Sequence, residues 1–390
     1  MNQKDTPSLI IEYLDPLEQF HGWLVIDDLN FPMAAGGMRV QKGLTQDHLV
    51  KMAHNMTMKM RIIGLPIGGA KCGIDYDPAA PGKTQAMSRF MAAIKPYIEH
   101  CYSMGPDLNT SMAELEEIAA DLDIPSVKMA IAQAQDMNLP DFLKRCEVLN
   151  QEALPGWSLG RIRAGYGVGG AVLAVLDDLK IPYPRATTAV QGFGTLARAA
   201  IATLLAAGVK IRAVADVHQC LRAEDGFELN TAALLNHPGT TLPPDFTGPG
   251  ISRLPRTAIY DTPCDIIIPA AIENAVTSAN AFNIQAKAVV PGANLAVTEA
   301  ADAILFQRRI PCLPSFLAGC GGSLSMNGLF APDKTPSAAA VLAYMNETMG
   351  RIVRETISIG RRLNISLSAA ACQYCEHIKR SGKPYQLEPK

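Results

Sequence analysis

The sequence lacks the features of membrane, secreted and nucleic-acid-binding proteins. Its longest apolar runs, such as residues 199–209, reach about half of the roughly 20 residues that a membrane span needs. The N-terminus MNQKDTPSL has no signal-peptide pattern, which favours a cytoplasmic location. The net charge of −2 provides no basic surface for nucleic acid or for an anionic membrane. We therefore expect neither of these partners.

Cysteine and histidine occur without the spacing of a disulfide framework or a metal site. The nine cysteines are an odd number, and the C-x-x-C at Cys372-Gln-Tyr-Cys375 lies in a helical pattern, away from any strand-to-helix turn. The seven histidines show no ligand spacing. We predict no metal, and we expect the cysteines to be mostly small core residues.

The length and composition indicate a globular protein of two domains. A chain of 390 residues is too long for one ordinary core. Its content of 48% hydrophobic and 18% charged residues argues against extended disorder.

Residues 56–74 carry two lysines in a setting with few other charges. Lys59 lies in a run with helical apolar spacing, and Pro66 and the pair Gly68-Gly69 then predict a turn. Lys71 follows this turn among apolar residues, where lost hydration would lower the pKa of its amine toward that of a general base. The alternative interpretation is that both lysines are surface residues flanking a loop.

The first 130 residues predict an α+β unit. We expect strands at 8–14 and 21–27, a sheet edge at 34–40, helices at 44–63 and 82–100, and a polar loop at 102–110. Thr110 or Ser111 is expected to cap a helix that begins at Met112.

The rest of the chain alternates strands with helices after a candidate hinge at 125–160. The predicted strands are 187–191, 211–215, 266–268 and 288–290, and the predicted helices are 166–179, 196–207, 337–357 and 361–378. This alternation predicts a parallel sheet that is covered on both faces.

A glycine-rich turn follows the first of these strands and opens a helix. Gly192-x-Gly194-x-x-Ala197 would let the backbone approach a pyrophosphate, and Asp216 ends the next strand, where it would bind ribose hydroxyls. We therefore predict NAD rather than NADP, although Arg212 and Arg222 lie nearby in sequence. The alternative is an ordinary turn of an α/β domain. The predicted cofactor residues of this region are Gly192, Phe193, Gly194, Thr195, Leu196, Asp216 and Val217.

These motifs occur together in a known family. The Met56-x-x-Lys59 segment with Leu-Pro-x-Gly-Gly-Ala-Lys71, and the upstream Gly36-Gly37-Met38-Arg39, resemble the Glu/Leu/Phe/Val dehydrogenase family. The resemblance implies an α/β protein with an N-terminal α+β substrate and oligomerisation domain at 1–140. It also implies a Rossmann-type, doubly wound dinucleotide domain at 141–330 and C-terminal helices at 331–390 that return to the first domain across the hinge.

The resemblance also assigns roles. It implies reversible oxidative deamination of an L-amino acid to a 2-oxo acid and ammonia, in which Lys59 binds the α-carboxylate and Lys71 activates water. Asp107, in Asp107-Leu-Asn109-Thr110, resembles the catalytic aspartate that moves protons on and off the amino group, with Asn109 in place of a glycine. An alternative is that Gly105-Pro-Asp107 matches an earlier Gly-Pro-Asp of some members.

Further motifs match in order, with departures. Ala270 and Ala271 resemble the family's turn on the dinucleotide, and Asn294 resembles the asparagine that meets the nicotinamide ribose. The departures stand at three positions, namely Ala164 for threonine in the Gly165-x-Gly167 segment, Pro291 for glutamate, and Gly319 for asparagine before Gly321-Gly322.

The resemblance indicates an apolar or aromatic substrate. Glutamate enzymes have a lysine where this chain has Ala35, just before Gly36-Gly37, and a serine where ungapped counting places Met326. A shift of that count would bring Ser325 or Asn327 to the position. The alternatives are a glutamate dehydrogenase with a rearranged pocket, or a non-catalytic descendant that binds dinucleotide or amino acid. The resemblance also implies a homo-oligomer.

Overall fold

The computed structural model describes residues 6–329 and 336–381. The chain divides into two compact units, and each has its own β-sheet. The first unit comprises the residues up to Arg61 and Leu65–Cys146. The second comprises Ile62–Gly64 and the residues from Glu147 onward.

The first unit alternates short strands and helices. Its elements are β1 (Leu9–Leu14), β2 (His21–Ile26), β3 (Ala34–Val40), α1 (Gln46–Ile62), β4 (Gly68–Ile74), α2 (Lys83–Ala93), α3 (Lys95–His100), β5 (Tyr102–Pro106), α4 (Met112–Asp121), α5 (Met129–Ala134) and α6 (Leu139–Cys146).

The sheet of the first unit has the strand order β1-β2-β4-β3-β5. β2 pairs antiparallel with β1 and β4, whereas β3 pairs parallel with β4 and β5. Apolar side chains of the strands pack against α2 and α4 in one cluster, in which Leu24, Met38 and Phe90 are fully buried. The expected α+β architecture of this region is therefore confirmed.

Helix α1 ends at Ile62 and Pro66 lies in a bend, so the predicted end of the helix is confirmed, but Gly68 and Gly69 lie in strand β4 rather than in the predicted turn. A Cβ on Gly68 would lie 1.9 Å from the carbonyl oxygen of Asp28, and one on Gly69 would lie 2.0 Å from the backbone nitrogen of Thr57. The glycines therefore permit close backbone contact within a packed strand rather than a chain reversal.

Two other predictions for this unit are corrected by the structure, and a third is confirmed. The predicted loop at 102–110 contains β5, and because β5 pairs with β3, β3 is an interior strand rather than a sheet edge. The predicted helix at 82–100 divides into α2 and α3 near Pro96, which has no N–H for a continuous helix. Ser111 caps α4 through its hydroxyl, as one of the two alternatives predicted.

The second unit contains more and longer helices. Its elements are β6 (Glu152–Leu154), β7 (Trp157–Ser158), α7 (Leu159–Asp178), β8 (Thr187–Gln191), α8 (Thr195–Ala206), β9 (Lys210–Ala215), β10 (Gln219–Ala223), α9 (Thr231–Asn236), β11 (Ile251–Pro255), β12 (Ile266–Pro269), β13 (Ala288–Val289), α10 (Glu299–Gln307), α11 (Ser315–Ala318), α12 (Gly321–Leu329), α13 (Ala338–Leu363) and α14 (Leu367–Ser381).

The main sheet of the second unit has the order β11-β10-β9-β8-β12-β13. The four strands β9, β8, β12 and β13 are parallel, which confirms the predicted parallel sheet. β10 and β11, which the sequence analysis did not predict, extend it antiparallel. The predicted break between two C-terminal helices is also misplaced, because α13 continues to Leu363 and ends at Asn364 with a left-handed φ of +50°.

Helix α7 is the central helix of this unit. It begins at Leu159, seven residues before the predicted start, and a Cβ on its Gly165 would lie 2.5 Å from the Cβ of Ala199 in α8. Among the described residues, α7 is the one helix long and apolar enough to cross a membrane, although the sequence analysis expected no such run. Because 67% of this window is buried inside the unit, α7 has the character of a core helix.

Candidate active site

Lys71 and Asp107 form a buried ion pair in the first unit. Lys71 lies in the middle of β4, and its side chain is only 3% exposed. Asp107 directly follows β5, and its Oδ2 lies 3.0 Å from Lys71 Nζ. Because β3 runs between β4 and β5, the pair spans that strand. The lysine and the aspartate predicted to be catalytic are thus in direct contact.

The turn after β5 fixes Asp107 against β3. The backbone N–H of Asp107 donates to Thr110 Oγ1 at 2.9 Å, and the Thr110 hydroxyl donates to the carbonyl oxygen of Met38, also at 2.9 Å. Asn109 has a φ of +62° and donates from Nδ2 to the Val40 carbonyl oxygen. Asn109, which stands in place of the family's glycine, thus adopts a left-handed conformation that asparagine tolerates.

Two cations determine the ionisation of Asp107. Burial opposes its charged form, but the charges of Lys71 and Arg39 outweigh burial and hold the pKa of Asp107 well below its usual value. Arg39 Nε donates to the same Oδ2 at 2.7 Å. Burial raises the pKa of the neighbouring Cys72 thiol to about 12 and raises the pKa of the Tyr102 hydroxyl well above its usual value. Neither of these groups therefore adds a charge near neutral pH.

The predicted substrate residues of this unit lie on α1 and β3. Lys59 lies in the last turn of α1 and is buried, at 7% exposure. Ala35 is half-buried on β3, followed by the two glycines. A Cβ on Gly36 would lie 1.7 Å from the Ala70 carbonyl oxygen, and one on Gly37 would lie 2.9 Å from Asp107 Cβ. The glycines therefore leave space for β4 and for the aspartate.

The glycine turn of the second unit has the geometry of a phosphate-binding turn. Gly192 follows β8 with a φ of +121°, and a Cβ there would lie 2.9 Å from the Ala270 carbonyl oxygen. Gly194 is the N-cap of α8, and among the described atoms none lies within 4 Å of its would-be Cβ. Thr195 begins this 12-residue helix, whose N-terminal N–H groups would favour an anion. Phe193 is buried, and Leu196 is half-buried.

Asp216 lies at the end of β9, and three backbone amides donate to its carboxylate. His218 and Gln219 donate to Oδ1, each at 2.8 Å, and Leu242 donates to Oδ2 at 2.7 Å. These bonds fix the carboxylate. They occupy both lone-pair sites of Oδ1 and one of Oδ2, so Oδ2 keeps one site for a ribose hydroxyl. Arg256 donates to the Val217 carbonyl oxygen at 3.3 Å, which places an unpredicted cation at the same turn.

Two exposed apolar residues follow the strands on either side of β8. Val217 follows β9 and is 60% exposed, and Ile272 follows β12 and is 63% exposed. Both strands neighbour β8, so these side chains lie at the strand ends where open α/β sheets bind nucleotides. Ala270 and Ala271 precede Ile272, and Asn294 is half-buried in the segment after β13. The sequence analysis missed Ile272 because it belongs to no motif.

The remaining motif glycines pack helices together. Gly165-x-Gly167 lies inside α7 rather than ahead of it, and a Cβ on Gly167 would lie 2.5 Å from the Cα of Gly321 in α12. Met326 is half-buried on α12. Its neighbour Ser325 is buried and accepts a hydrogen bond from Arg163 at 3.3 Å. Asn327, the other alternative, donates to the Tyr344 hydroxyl at 2.5 Å.

A parallel sheet with a glycine turn and a fixed aspartate, together with a buried lysine–aspartate pair, defines a dinucleotide-dependent oxidoreductase with an acid–base site. Family models support this class. The model "Glu/Leu/Phe/Val dehydrogenase, dimerisation domain" matches residues 12–123, and "Glutamate/Leucine/Phenylalanine/Valine dehydrogenase" matches residues 156–376. The chain therefore belongs to the Glu/Leu/Phe/Val dehydrogenase family. It is an NAD(P)-dependent amino-acid dehydrogenase.

Curated relatives are named as glutamate dehydrogenases. Glutamate dehydrogenase B of Halobacterium salinarum is 30% identical over 332 residues, which cover 81% of this chain and 72% of the relative. The NAD-specific glutamate dehydrogenase of Peptoniphilus asaccharolyticus is 27% identical over 388 residues, which cover 94% and 88%. Relatives named as NADP-specific match as well.

Solved structures share the fold. The hetero-hexameric glutamate dehydrogenase of Thermus thermophilus, in a leucine-bound form, has a TM-score of 0.71 at 23% identity, covering 97% of this chain and 91% of that chain. The L-tryptophan dehydrogenase of Nostoc punctiforme has a TM-score of 0.61 at 16% identity, covering 96% of each chain.

Proposed function

We propose that the protein catalyses the reversible, NAD-dependent oxidative deamination of an apolar or aromatic L-amino acid to a 2-oxo acid and ammonia. The buried contact of 3.0 Å between Lys71 Nζ and Asp107 Oδ2 carries this proposal. A lysine and a carboxylate at this distance provide a base and a proton carrier in one site.

Each residue of the first unit has a step in the proposed reaction. Lys59 pairs with the substrate α-carboxylate, and Asp107 takes a proton from the substrate ammonium group. When bound, NAD supplies the acceptor for the hydride of the substrate Cα, which leaves a substrate iminium. Unprotonated Lys71 then takes a proton from water as the water oxygen bonds to the iminium carbon. The C–N bond breaks while Asp107 returns its proton to the departing ammonia, and the hydroxyl proton passes to bulk water as the 2-oxo acid forms. Lys71 then releases to the solvent the proton that it took from water.

The cofactor proposal rests on the second unit. Gly192 and Gly194 leave room for a pyrophosphate at the start of α8, and Val217 and Ile272 offer apolar surfaces for an adenine. The Asp216 carboxylate favours ribose hydroxyls and would repel a 2′-phosphate. Arg256 at the same turn and the NADP-specific relatives are the reasons to assay both cofactors.

The substrate proposal rests on the residues predicted for the side-chain pocket. Ala35 offers only a methyl group on β3, and Met326 offers a thioether on α12. Neither group can pair with a substrate side-chain carboxylate. Since an unpaired buried carboxylate costs several kcal/mol, these two residues favour an apolar or aromatic side chain.

Lys128 favours a second candidate, which is the same reaction on glutamate. Its Nζ donates to the Met104 carbonyl oxygen at 2.5 Å and lies 3.7 Å from the position that a Cβ of Gly105 would occupy. Both residues lie on β5, which pairs with β3 beside Ala35. Lys128 could thus provide the cation that Ala35 lacks, in agreement with the names of the curated relatives.

The test is NADH formation by the purified protein at alkaline pH, with NAD and then NADP, and with each of the twenty L-amino acids. Turnover of leucine, valine, phenylalanine or tryptophan with little on glutamate supports the first candidate. Turnover of glutamate that Lys128→Met abolishes supports the second. Absence of turnover with every amino acid contradicts both and favours a non-catalytic ligand-binding protein.

Two further properties are part of the proposal. A homo-oligomeric assembly is supported by the match of residues 12–123 to a dimerisation-domain model. A cytoplasmic location is the second of these proposed properties. Size-exclusion chromatography with light scattering and fractionation of cells test these two points.

A further inference from the structure

One carboxylate oxygen of Asp107 is in contact with two cationic side chains. Oδ2 accepts from Arg39 Nε at 2.7 Å and lies 3.0 Å from Lys71 Nζ. The Arg39 side chain is 7% exposed, and its Nη1 donates to Gln41 Oε1 at 3.1 Å. Arg39 lies on β3, the strand between Lys71 and Asp107, and its contacts with Asp107 and Gln41 fix its side chain. Among the described residues, none donates to the other oxygen, Oδ1.

The two cations differ in what the reaction demands of them. The proposed function requires Lys71 to be unprotonated from the start of the cycle until it takes a proton from water. When the ionised Asp107 accepts the proton of the substrate ammonium group, Lys71 therefore does not neutralise its charge. The guanidinium of Arg39 stays protonated at every working pH. Arg39 is therefore the cation whose charge stays constant through the reaction cycle.

We propose that Arg39 is a positioning residue that keeps Oδ2 of Asp107 fixed and keeps Asp107 ionised while Lys71 is unprotonated, so that Oδ1 can accept the proton of the substrate ammonium group and later return it. This inference rests on the proposed function. Without Arg39, the aspartate would hold a proton before the reaction starts, when Lys71 is neutral, and it could not accept the proton of the substrate.

Among the described residues, the cations in contact with Asp107 are Lys71 from β4 and Arg39 from β3. The titratable groups of Cys72 on β4 and Tyr102 on β5 also interact with Asp107. Burial keeps the Cys72 thiol and the Tyr102 hydroxyl neutral near physiological pH, because it raises the pKa of both groups. The pH dependence of Asp107 therefore reports on Arg39 and Lys71.

The test compares the wild type with Arg39→Gln and Arg39→Lys in the full chain. Arg89→Gln is the matched control, because Arg89 forms a comparable ion pair with buried Asp15 at 2.6 Å in the same unit. We expect Arg39→Gln to raise the pH at which Asp107 takes up its proton by about one unit and to lower kcat more than it changes KM. Arg39→Lys should bring both properties back toward the wild-type values, and Arg89→Gln should leave both unchanged.

A second measurement is independent of turnover. Infrared titration of the protonated-carboxyl band, assigned with Asp107→Asn, gives the protonation midpoint of Asp107 directly. A midpoint raised in Arg39→Gln and unchanged in Arg89→Gln supports the inference, even if the proposed substrates are wrong. An infrared midpoint that stays at the wild-type pH in Arg39→Gln, together with an unchanged kcat and KM, would overturn it, while wild-type turnover would leave the proposed function intact.

Discussion

Lys71 Nζ reaches Asp107 Oδ2 at 3.0 Å across strand β3, which lies between the strand of the lysine and the strand that precedes the aspartate. The contact depends on the absence of a side chain at Gly37, where a Cβ would lie 2.9 Å from Asp107 Cβ and 2.8 Å from the Pro106 carbonyl oxygen. The glycine pair of β3 is thus part of the geometry of the acid–base site.

This relationship gives different predictions for the two glycines. Gly36→Ala would place a Cβ 1.7 Å from the Ala70 carbonyl oxygen, and we expect it to destabilise the first unit by more than about 3 kcal/mol, since backbone must move. Gly37→Ala would place a Cβ 2.9 Å from the Cβ of Asp107 and so displace the aspartate. We expect this variant to fold but to lose at least tenfold in kcat, which corresponds to about 1.4 kcal/mol of activation free energy.

Urea unfolding and steady-state kinetics check these effects. Gly322→Ala is the control for stability, because no described atom lies within 4 Å of its would-be Cβ. Its unfolding midpoint should remain close to that of the wild type. A Gly36→Ala protein as stable as the wild type would show that the close contact of β3 and β4 is wrong.

A second prediction concerns the acid stability of the first unit. Burial alone would raise the pKa of Asp15, but Arg89 and the N–H groups of Glu18 and Leu17 lower it to about 2. Because the folded-state pKa is lowered, the contribution of Asp15 is present above the unfolded value of about 3.9 and is lost as pH falls toward 2. The stability difference between the wild type and Asp15→Asn should therefore shrink between about pH 4 and pH 2.

Urea midpoints measured at intervals through this pH range test the point. Asp121→Asn, at an exposed position, controls for the loss of one carboxylate. A difference between the wild type and Asp15→Asn that is constant down to pH 2 would count against the Arg89 pair as its origin.

A third prediction concerns substrate choice. Ala35→Lys adds a cation beside the glycines of β3, so we expect kcat/KM for glutamate to rise at least tenfold, about 1.4 kcal/mol of transition-state binding. Turnover of apolar amino acids should fall. If the wild type already uses glutamate and Ala35→Lys barely changes that activity, the pocket argument from Ala35 fails and Lys128 becomes the preferred cation.

Local sequence signals predicted much of the fold and of the site. The alternation of strands and helices predicted the parallel strands β8, β9, β12 and β13, and the capping chemistry of Ser111 predicted the start of helix α4. These features depend on residues close together in sequence, which is why the sequence alone was sufficient.

Long-range contacts explain which features the sequence did not predict. A glycine pair is typical of a turn, yet Gly68 and Gly69 lie in a strand. Backbone atoms of Asp28 and Thr57, which belong to other segments, pack against them there. The amide of Leu242 reaches Asp216 from 26 residues along the chain. Arg39 lies in one of the family motifs, but the sequence alone gives it no role, because its contact with Asp107 joins positions 68 residues apart.

The most direct measurement compares NADH formation by the wild type and by Lys71→Ala, with exposed Lys51→Ala as the control and with the amino acid that the panel identifies. We expect Lys71→Ala to lose about 10³-fold in kcat, while NAD and the amino acid still raise its melting temperature as they do for the wild type. Lys51→Ala should retain full activity. Turnover by Lys71→Ala within a few-fold of the wild type would contradict the assignment of Lys71 as the base and, with it, the proposed acid–base site.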